Sequence, residues 1–402
     1  MIVRSRPKFI SYRMFNKIPC QSYEDVDNLF FNYGRSALLF FFSCYREFYH
    51  KKLRIGLQSF NCPVVMEGIL QSGNWPVLLD ISLEDFSVSL EELSHIEEGL
   101  DIMILTSYQG IPPLEYKEIA GYCTSRSIFL MEDLSHTYGS SIKGIKTGTL
   151  SEASLFSYAF DKPFSSYFGG MLDIKNIQDQ TFRDFVITEY QKVVPESCVK
   201  TTFDLRMLKT LLLYTEPEKY QPAFDISYFF YFPKLVFIFA PLLLHFSYIR
   251  KIFSAAVARL LGFQEPDKKI TVRRLRNRKI RFIRQQETAF TYNNSEVEAL
   301  EEFLTKYNLK PIRIASGEIH WNRYAVLDPD YKIRQDLKDI GVQSGNYNWP
   351  VPMHIMYAGN KNCFFKNENG YPNSEYASKH IVNIPVWSDF FQKRLMRDPD
   401  GQ

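Results

Sequence analysis

Short apolar segments alternate with helix-like segments from about residue 34 to residue 175, and this alternation constrains the fold more than any other feature. The strand-like segments cover residues 54–60, 76–81, 101–108, 127–133 and 153–159. Short strands that are apolar throughout and joined by helices are typical of a mostly parallel sheet buried on both faces. Ligands of such sheets bind at the carboxyl ends of the strands. The sequence therefore predicts an α/β fold with a functional site at that edge.

The remainder of the chain divides into two further segments. Residues 286–402 combine helix-like stretches at 296–307 and 332–341 with short strands, which predicts a smaller α+β domain. The predicted organisation is a large α/β domain at residues 22–214, an apolar, aromatic and basic insertion at 215–285, and this C-terminal domain.

The overall composition indicates an intracellular protein without a nucleic-acid partner. The chain has 48 Lys and Arg residues against 45 Asp and Glu residues, so its charge is close to balance. Its six cysteines lack the paired spacing of a zinc site or a disulfide framework, which fits a reducing cytoplasm. The N-terminus has basic residues but no continuous apolar stretch, so a cleaved secretory signal is not expected.

The insertion contains a segment that is unusual for a cytoplasmic enzyme. Residues 228–248 carry one formal charge, Lys234, and are long enough to cross a bilayer. Two prolines and the central lysine weaken that interpretation. Residues 250–284 then contain twelve Lys or Arg residues, which suits contact with an anionic membrane surface. Peripheral membrane contact through 226–262, a buried insertion and a true membrane span all remain open.

One lysine and one carboxylate lie where this fold would bring them together. Asp133 ends the strand-like segment 127–133, and Lys162 follows the next strand on a short loop. A lysine can form a Schiff base with the aldehyde of pyridoxal phosphate, and a carboxylate can keep the pyridine nitrogen of that cofactor protonated. The sequence therefore favours a pyridoxal-phosphate site.

Four ordered blocks of sequence resemble the DegT/DnrJ/EryC1/StrS sugar aminotransferases, which are fold type I pyridoxal-phosphate enzymes. The blocks are Gly34-Arg35-Ser36-Ala37-Leu38, NCPVVMEGILQSGNWPVLLDI (61–81), EDLSHTYG (132–139) and SYAFDKPFSSYFGG (157–170). The likeness is good over about residues 22–210, loose in the C-terminal domain and absent from 215–285. Each block alone is weak, but the ordered set is specific.

The resemblance implies a role for each candidate site residue. Lys162 would bind the cofactor covalently and move the proton during transamination, while Asp133 would pair with the pyridine nitrogen. His136 would contact the phenolic oxygen of the cofactor. The remaining candidates lie around the phosphate or the ring: Ser157, Arg35, Ser36 and Cys62.

Three departures from the family pattern affect the site. Cys62 stands where many relatives have an aromatic residue that stacks on the cofactor, so Phe60 or another group would have to cover the ring. Asp204 lies in the stretch that resembles a phosphate-binding loop contributed by the partner subunit, where its charge would repel a phosphate. Tyr158 replaces the usual phenylalanine, which is a mild change. His354 is not a departure: it lies in PVPMH, which matches a loosely similar C-terminal block of the family, and it is a candidate for substrate binding.

The resemblance implies an aminotransferase that passes an amino group, from glutamate, to a nucleotide-linked keto-sugar in glycan biosynthesis. It also implies a homodimer, located in the cytoplasm or at the inner face of the membrane. Two alternatives remain: a sugar dehydratase of the same fold, in which a histidine commonly replaces the lysine, and a non-catalytic membrane-associated scaffold. Lys162 favours transamination over dehydration.

Overall fold

The computed structural model describes most of the large domain and much of the C-terminal part. The described residues are 26–96, 99–159, 161–164, 166, 168–202, 204–205, 269–289, 292, 295–305, 316–342, 344–346, 349–363 and 370–386. Of these, residues 26–196 and 270–386 form one compact unit, and residues 197–205 and 269 belong to a second unit. The three-segment organisation drawn from the sequence stays a prediction.

Eleven strands and ten helices lie within the described residues. The strands are β1 Asn28–Phe31, β2 Arg54–Gln58, β3 Trp75–Leu79, β4 Ile102–Thr106, β5 Phe129–Asp133, β6 Ser141–Ile142, β7 Ile145–Lys146, β8 Ala153–Ser157, β9 Gly170–Asp173, β10 Tyr324–Leu327 and β11 Ile381–Ile384. The helices are α1 Gly34–Tyr49, α2 Pro63–Gln71, α3 Leu90–Ser94, α4 Tyr116–Ser125, α5 Gln180–Lys192, α6 Asn277–Ala289, α7 Ser295–Leu304, α8 Lys332–Asp339, α9 Met353–Met356 and α10 Pro372–His380.

The central sheet has seven strands in the order β1-β9-β8-β5-β4-β2-β3. Strands β3, β2, β4, β5 and β8 are parallel to their neighbours within this set. Strand β9 is antiparallel to both β8 and β1. The prediction of a mostly parallel, seven-stranded sheet is confirmed.

Alternation along the strands builds a separate core on each face of the sheet. In β4, Ile102 and Ile104 pack in a cluster with residues of α1, α2 and α5, whereas Met103 and Leu105 pack with residues of α3 and α4. Successive side chains of a strand point to opposite faces, so a continuous apolar strand requires helices on both sides. This requirement explains why the sequence reads as short, uninterrupted apolar runs.

The C-terminal residues form a third cluster with loops that follow the strands of the large sheet. It joins the antiparallel pair β10–β11 and helices α7, α8 and α10 to Phe60, Phe86 and Tyr108. Helix α10 begins beside Asp80, whose carboxylate accepts hydrogen bonds from the backbone N–H groups of Asn373 (2.9 Å) and Ser374 (2.8 Å). A negative charge at a helix N-terminus is favourable. Asp80, which directly follows β3, therefore links the C-terminal cluster to the large sheet.

In the part of the chain that the structure describes, no helix is long and apolar enough to cross a membrane. The apolar segment 228–248 and its three interpretations lie outside the described residues.

Candidate active site

A cavity of about 270 Å³ opens at the carboxyl ends of the parallel strands. This is close to the lower end of the ~300–1,000 Å³ that small-molecule sites usually have. Thr106, Asp133 and Ser157, which end β4, β5 and β8, all line it. The other lining residues are Tyr33, Gly34, Arg35, Leu38, Cys62, Val64, Val65, Ser135, His136, Leu155, Ala159, Asp161, Lys162, Phe168, Gly169 and Trp349.

Lys162 lies on the loop between β8 and β9 with its side chain mostly buried. Its exposed fraction is 12%, and its Nζ lies 3.5 Å from Oδ2 of Asp161. Burial alone would raise the pKa of the Asp161 carboxyl, but opposing influences, of which the charge of Lys162 is the largest, lower it to about 2. Asp161 is therefore ionised over the whole neutral range. The adjacent carboxylate was not among the residues singled out from the sequence.

Tyr158 anchors the loop that carries Lys162 to helix α6. Its ring is fully buried and packs edge-on against Phe164, with centroids 5.4 Å apart. Its hydroxyl donates a hydrogen bond to Oε1 of Glu287 in helix α6, at 3.0 Å. The replacement of the family's usual phenylalanine by tyrosine thus links the loop to α6, since only the hydroxyl can make that bond.

Asp133 presents a buried carboxylate to the same cavity. Only 3% of the residue is exposed, and its Oδ1 accepts the backbone N–H of Ser135 at 3.0 Å. Burial raises the pKa of this carboxyl, although the bonds from Ser135 and the charge of Lys162 oppose that effect. No ion pair with Asp133 occurs among the described residues. A cation brought into the cavity, such as a protonated ring nitrogen, would relieve the cost of burying this charge.

His136 lies against an aromatic residue from the C-terminal part. Its imidazole stacks on the indole of Trp349, with centroids 5.1 Å apart and planes inclined by 12°. Burial, together with the nearby Lys162 charge, lowers the pKa of His136 well below its ordinary value, so the ring is neutral at pH 7. Its buried Nδ1 has no hydrogen-bond partner within the described part of the chain. Such an orphaned atom fits a hydrogen bond to a ligand.

The start of helix α1 forms the opposite end of the cavity. Gly34 and Arg35 line it, and the N-cap residue, Tyr33, makes no side-chain capping bond. A Cβ at Gly170 would overlap the backbone of Gly34, so the glycine allows β9 to lie directly against the helix start. Free N–H groups, the helix dipole and the Arg35 guanidinium favour an anion such as a phosphate.

The structure brings six of the seven predicted site residues to this cavity: Lys162, Asp133, His136, Ser157, Arg35 and Cys62. Ser36 does not line it, because its buried hydroxyl donates to the carbonyl of Thr271 at 3.0 Å. Among the described residues, the cavity is also lined by Trp349 and Asp161, which the sequence patterns did not single out. Trp349 directly precedes the PVPMH stretch, and that neighbourhood was the only available signal.

Three further residues that the sequence raised have partners of their own. Phe60 packs against Trp349 and Tyr108 and does not line the cavity. His354 accepts or donates a 2.7 Å hydrogen bond through Nδ1 with Ser59 Oγ, and its ring stacks on Tyr371. Asp204 pairs with Lys200 at 2.9 Å in the second unit, and its suggested relation to a partner's phosphate stays a prediction.

These features fit pyridoxal phosphate. A lysine amine, a buried carboxylate, a neutral imidazole whose Nδ1 has no partner among the described residues, and a helix start suited to an anion converge on one cavity. The residues that would hold the cofactor are Lys162, Asp133, His136 and the α1 start. The fold and the site together define a pyridoxal-phosphate enzyme of fold type I.

Comparison with known proteins finds the same family in the central part of the large domain. The model of the DegT/DnrJ/EryC1/StrS aminotransferase family matches residues 57–182. An uncharacterized protein of Methanocaldococcus jannaschii is 21% identical over 320 residues, which cover 78% of this chain and 69% of that protein. The UDP-4-amino-4,6-dideoxy-N-acetyl-beta-L-altrosamine transaminase of Helicobacter pylori is 27% identical over 159 residues, covering 39% of this chain and 42% of the transaminase.

Among solved structures, the E. coli GDP-4-keto-6-deoxy-D-mannose-3-dehydratase with bound hydrated PLP aligns with a TM-score of 0.64. The alignment covers 99% of both chains at 13% identity, and at that identity it establishes the fold alone. The resemblance drawn from the sequence is confirmed over residues 57–182, which match the model of the DegT/DnrJ/EryC1/StrS aminotransferases, a family of pyridoxal-phosphate-dependent enzymes.

Proposed function

We propose that this enzyme transfers an amino group, with glutamate as the donor, to a keto-sugar carried on a nucleotide. The observation that carries the proposal is the convergence of Lys162 and the buried Asp133 carboxylate on one cavity. The Helicobacter pylori relative, which is 27% identical over 159 residues, is a transaminase of a UDP-linked sugar, and this supports the substrate class. The presence of lysine at position 162, rather than histidine, supports transamination over the dehydration performed by the structural relative from E. coli.

The residues of the chain divide the work of the reaction. The cofactor supplies an electron sink for the carbon that loses its proton. Asp133 would hold the ring nitrogen in its protonated form, and Lys162 Nζ would first bind the cofactor and then, once released, carry the proton between two carbon atoms. The α1 start and Arg35 would hold the phosphate. His136, which is neutral, would orient the ring without adding charge.

Two further elements of the proposal rest on sequence. A homodimer follows from the family, in which the site forms at a subunit interface, and light scattering of the purified protein would test it. Peripheral membrane contact through 226–262 rests on the apolar and basic composition of that stretch. Flotation with anionic liposomes tests it: binding that disappears on deletion of 226–262 supports contact, and an intact chain that stays unbound removes this part of the proposal.

The enzymatic proposal is tested by product and by attachment site. Incubation with glutamate and a panel of nucleotide-linked keto-sugars should give an amino-sugar product detectable by mass spectrometry. Borohydride treatment followed by peptide mapping should place the cofactor on Lys162. The K162A variant should lose both results, while K175A, which removes an exposed lysine paired with Asp173, should keep them. Cofactor fixed at another lysine would contradict the proposal.

A further inference from the structure

Among the described residues, Asp161 forms an ion pair with the reactive amine, and the roles assigned above leave it unused. Its Oδ2 lies 3.5 Å from Lys162 Nζ, and both residues line the cavity. The two residues are adjacent in the chain, so their distance is set by one short loop. The backbone N–H of Lys162 bonds to the carbonyl of Ala159 at 3.2 Å, which turns the chain at this point.

The pair is asymmetric in its exposure. The side chain of Lys162 is 12% exposed, whereas that of Asp161 is 39% exposed. The carboxylate therefore keeps part of its hydration while it faces an amine that has lost most of its own. An ammonium ion formed at that amine would depend on Asp161 for compensation.

During transamination a positive charge appears at Nζ. The C–H bond of the substrate would break, the proton would form a new N–H bond with the neutral amine of Lys162, and the electron pair would pass to the electron sink that the cofactor supplies. No other oxidant or reductant is needed. A fixed negative charge beside the atom that becomes cationic stabilises that change more than it stabilises the starting state.

We propose that Asp161 is a positioning residue that holds the ammonium form of Lys162 from the moment the amine takes the proton until it delivers it. The inference rests on the proposed aminotransferase function. In the protein without cofactor, the same 3.5 Å contact places the Asp161 carboxylate against the Lys162 amine. The Asp161 carboxylate thus acts through Lys162 and is not itself a group that touches the reacting carbon.

The first test uses protein without cofactor and does not depend on turnover. Brief acetylation with acetic anhydride at fixed pH, followed by peptide mass spectrometry, measures the reactivity of Lys162 relative to exposed Lys175. Asp161→Asn should raise that ratio by roughly 3- to 10-fold, since it removes the opposite charge that lies against the amine. Asp161→Glu should stay within about twofold of wild type. The control Asp330→Asn, which alters an exposed contact with Lys332, should change nothing.

The second test follows the proton. With glutamate deuterated at the α-carbon, the isotope effect on the first half-reaction should be larger in Asp161→Asn than in wild type, and Asp161→Glu should restore it. A merely structural role would not move this ratio. If Asp161→Asn does not fold, Asp161→Ser is measured on the same two scales.

The outcomes separate the two proposals. Cofactor absent from Lys162 after borohydride treatment would remove the aminotransferase function itself. Cofactor present at Lys162, with unchanged acetylation and unchanged isotope effect in a folded Asp161 variant, would overturn the role of Asp161 alone.

Discussion

The indole of Trp349 lies nearly parallel to the imidazole of His136, with ring centroids 5.1 Å apart. The two residues come from distant parts of the sequence and meet at the cavity that contains Lys162. Trp349 also contacts Tyr108 and Phe60, with ring centroids at 4.7 and 5.1 Å. The C-terminal residues thus fix the plane of a neutral imidazole whose Nδ1 has no hydrogen-bond partner in the described part of the chain.

Removal of the Trp349 ring should lower both the stability of the protein and its affinity for the cofactor, whereas a conservative replacement should keep the stability close to that of wild type. Trp349 is 2% exposed, and truncating such a residue to alanine typically costs ~3–5 kcal/mol of stability. We therefore expect W349A to melt well below wild type and W349F to melt only slightly below it. Cofactor affinity, measured by fluorescence titration below both melting temperatures, should fall by roughly tenfold in W349A. W75F is the control, because Trp75 lies outside the cavity; equal affinity in W349A and wild type would contradict the prediction.

The Asp133→Asn variant should separate stability from cofactor binding. Burial raises the pKa of Asp133, so ionisation costs the folded protein more than the unfolded chain. Without cofactor, wild type should lose stability relative to D133N as the pH rises through this raised pKa, and the two should converge at lower pH. With cofactor, the order reverses, because D133N cannot pair with the ring nitrogen, and we expect at least a hundredfold loss of affinity.

Thermal melts from pH 4 to pH 8, with and without pyridoxal phosphate, measure both effects. D184N is the control. Asp184 is exposed on helix α5, and its side chain accepts a hydrogen bond from Gln180 Nε2 of the same helix. A D133N protein that binds the cofactor as tightly as wild type would exclude the pairing.

A buried ion pair joins helix α6 to Glu196, the residue at which the chain leaves the compact unit. Lys279 Nζ lies 2.5 Å from Glu196 Oε2, with side-chain exposures of 0% and 2%, and Lys279 also lies over the ring of Phe168. Removing one member leaves the other charge buried, so E196Q should cost about 3–5 kcal/mol in urea unfolding. The double variant K279M/E196L should recover most of that loss, because it buries no charge. A double variant no more stable than E196Q would show that the pair itself stabilises the fold.

His354 should matter for stability and its pH dependence rather than for catalysis. Burial lowers the pKa of this imidazole, while Glu375 opposes the shift. A histidine whose folded pKa lies below its unfolded value near 6.5 stabilises the protein above that pH, and the contribution is lost as the pH falls. We expect H354Q to be about 1–2 kcal/mol less stable at pH 8, through the lost bond to buried Ser59, and to depend less on pH between 5 and 7. H95Q is the control, and normal cofactor attachment in H354Q is expected.

The sequence was sufficient for the parts of the fold that follow from local pattern. Apolar runs predicted the strands of the parallel sheet, and the position of Asp133 and Ser157 at strand ends predicted the edge at which the site forms. The partners supplied by distant segments could not be predicted. Trp349 follows no periodic pattern and reaches His136 only through the packing of the C-terminal layer. Asp161 stands beside Lys162 in the sequence, but adjacency alone does not fix the direction of two side chains on a loop.

Ser36 shows that a sequence motif can also suggest a role that a distant segment of the chain overrides. Its place in the Gly-Arg-Ser block suggested a phosphate ligand, yet its hydroxyl bonds to Thr271, more than two hundred residues away. Only the return of the chain after residue 269 explains this partner.

That return has a consequence for how the gene can change. The chain leaves the compact unit at Glu196 and comes back beside the same point, where the Glu196 N–H bonds to the carbonyl of Arg274 at 2.9 Å and Arg276 Nε bonds to the Glu196 carbonyl at 2.6 Å. These contacts hold the two parts of the compact unit together, and they do not depend on the length of the segment that lies between residues 196 and 270 in the sequence. The inserted segment can therefore become longer, shorter or different in sequence during evolution without disturbing strand register. This junction is a place where an enzyme of this fold can acquire a segment that determines where in the cell it works.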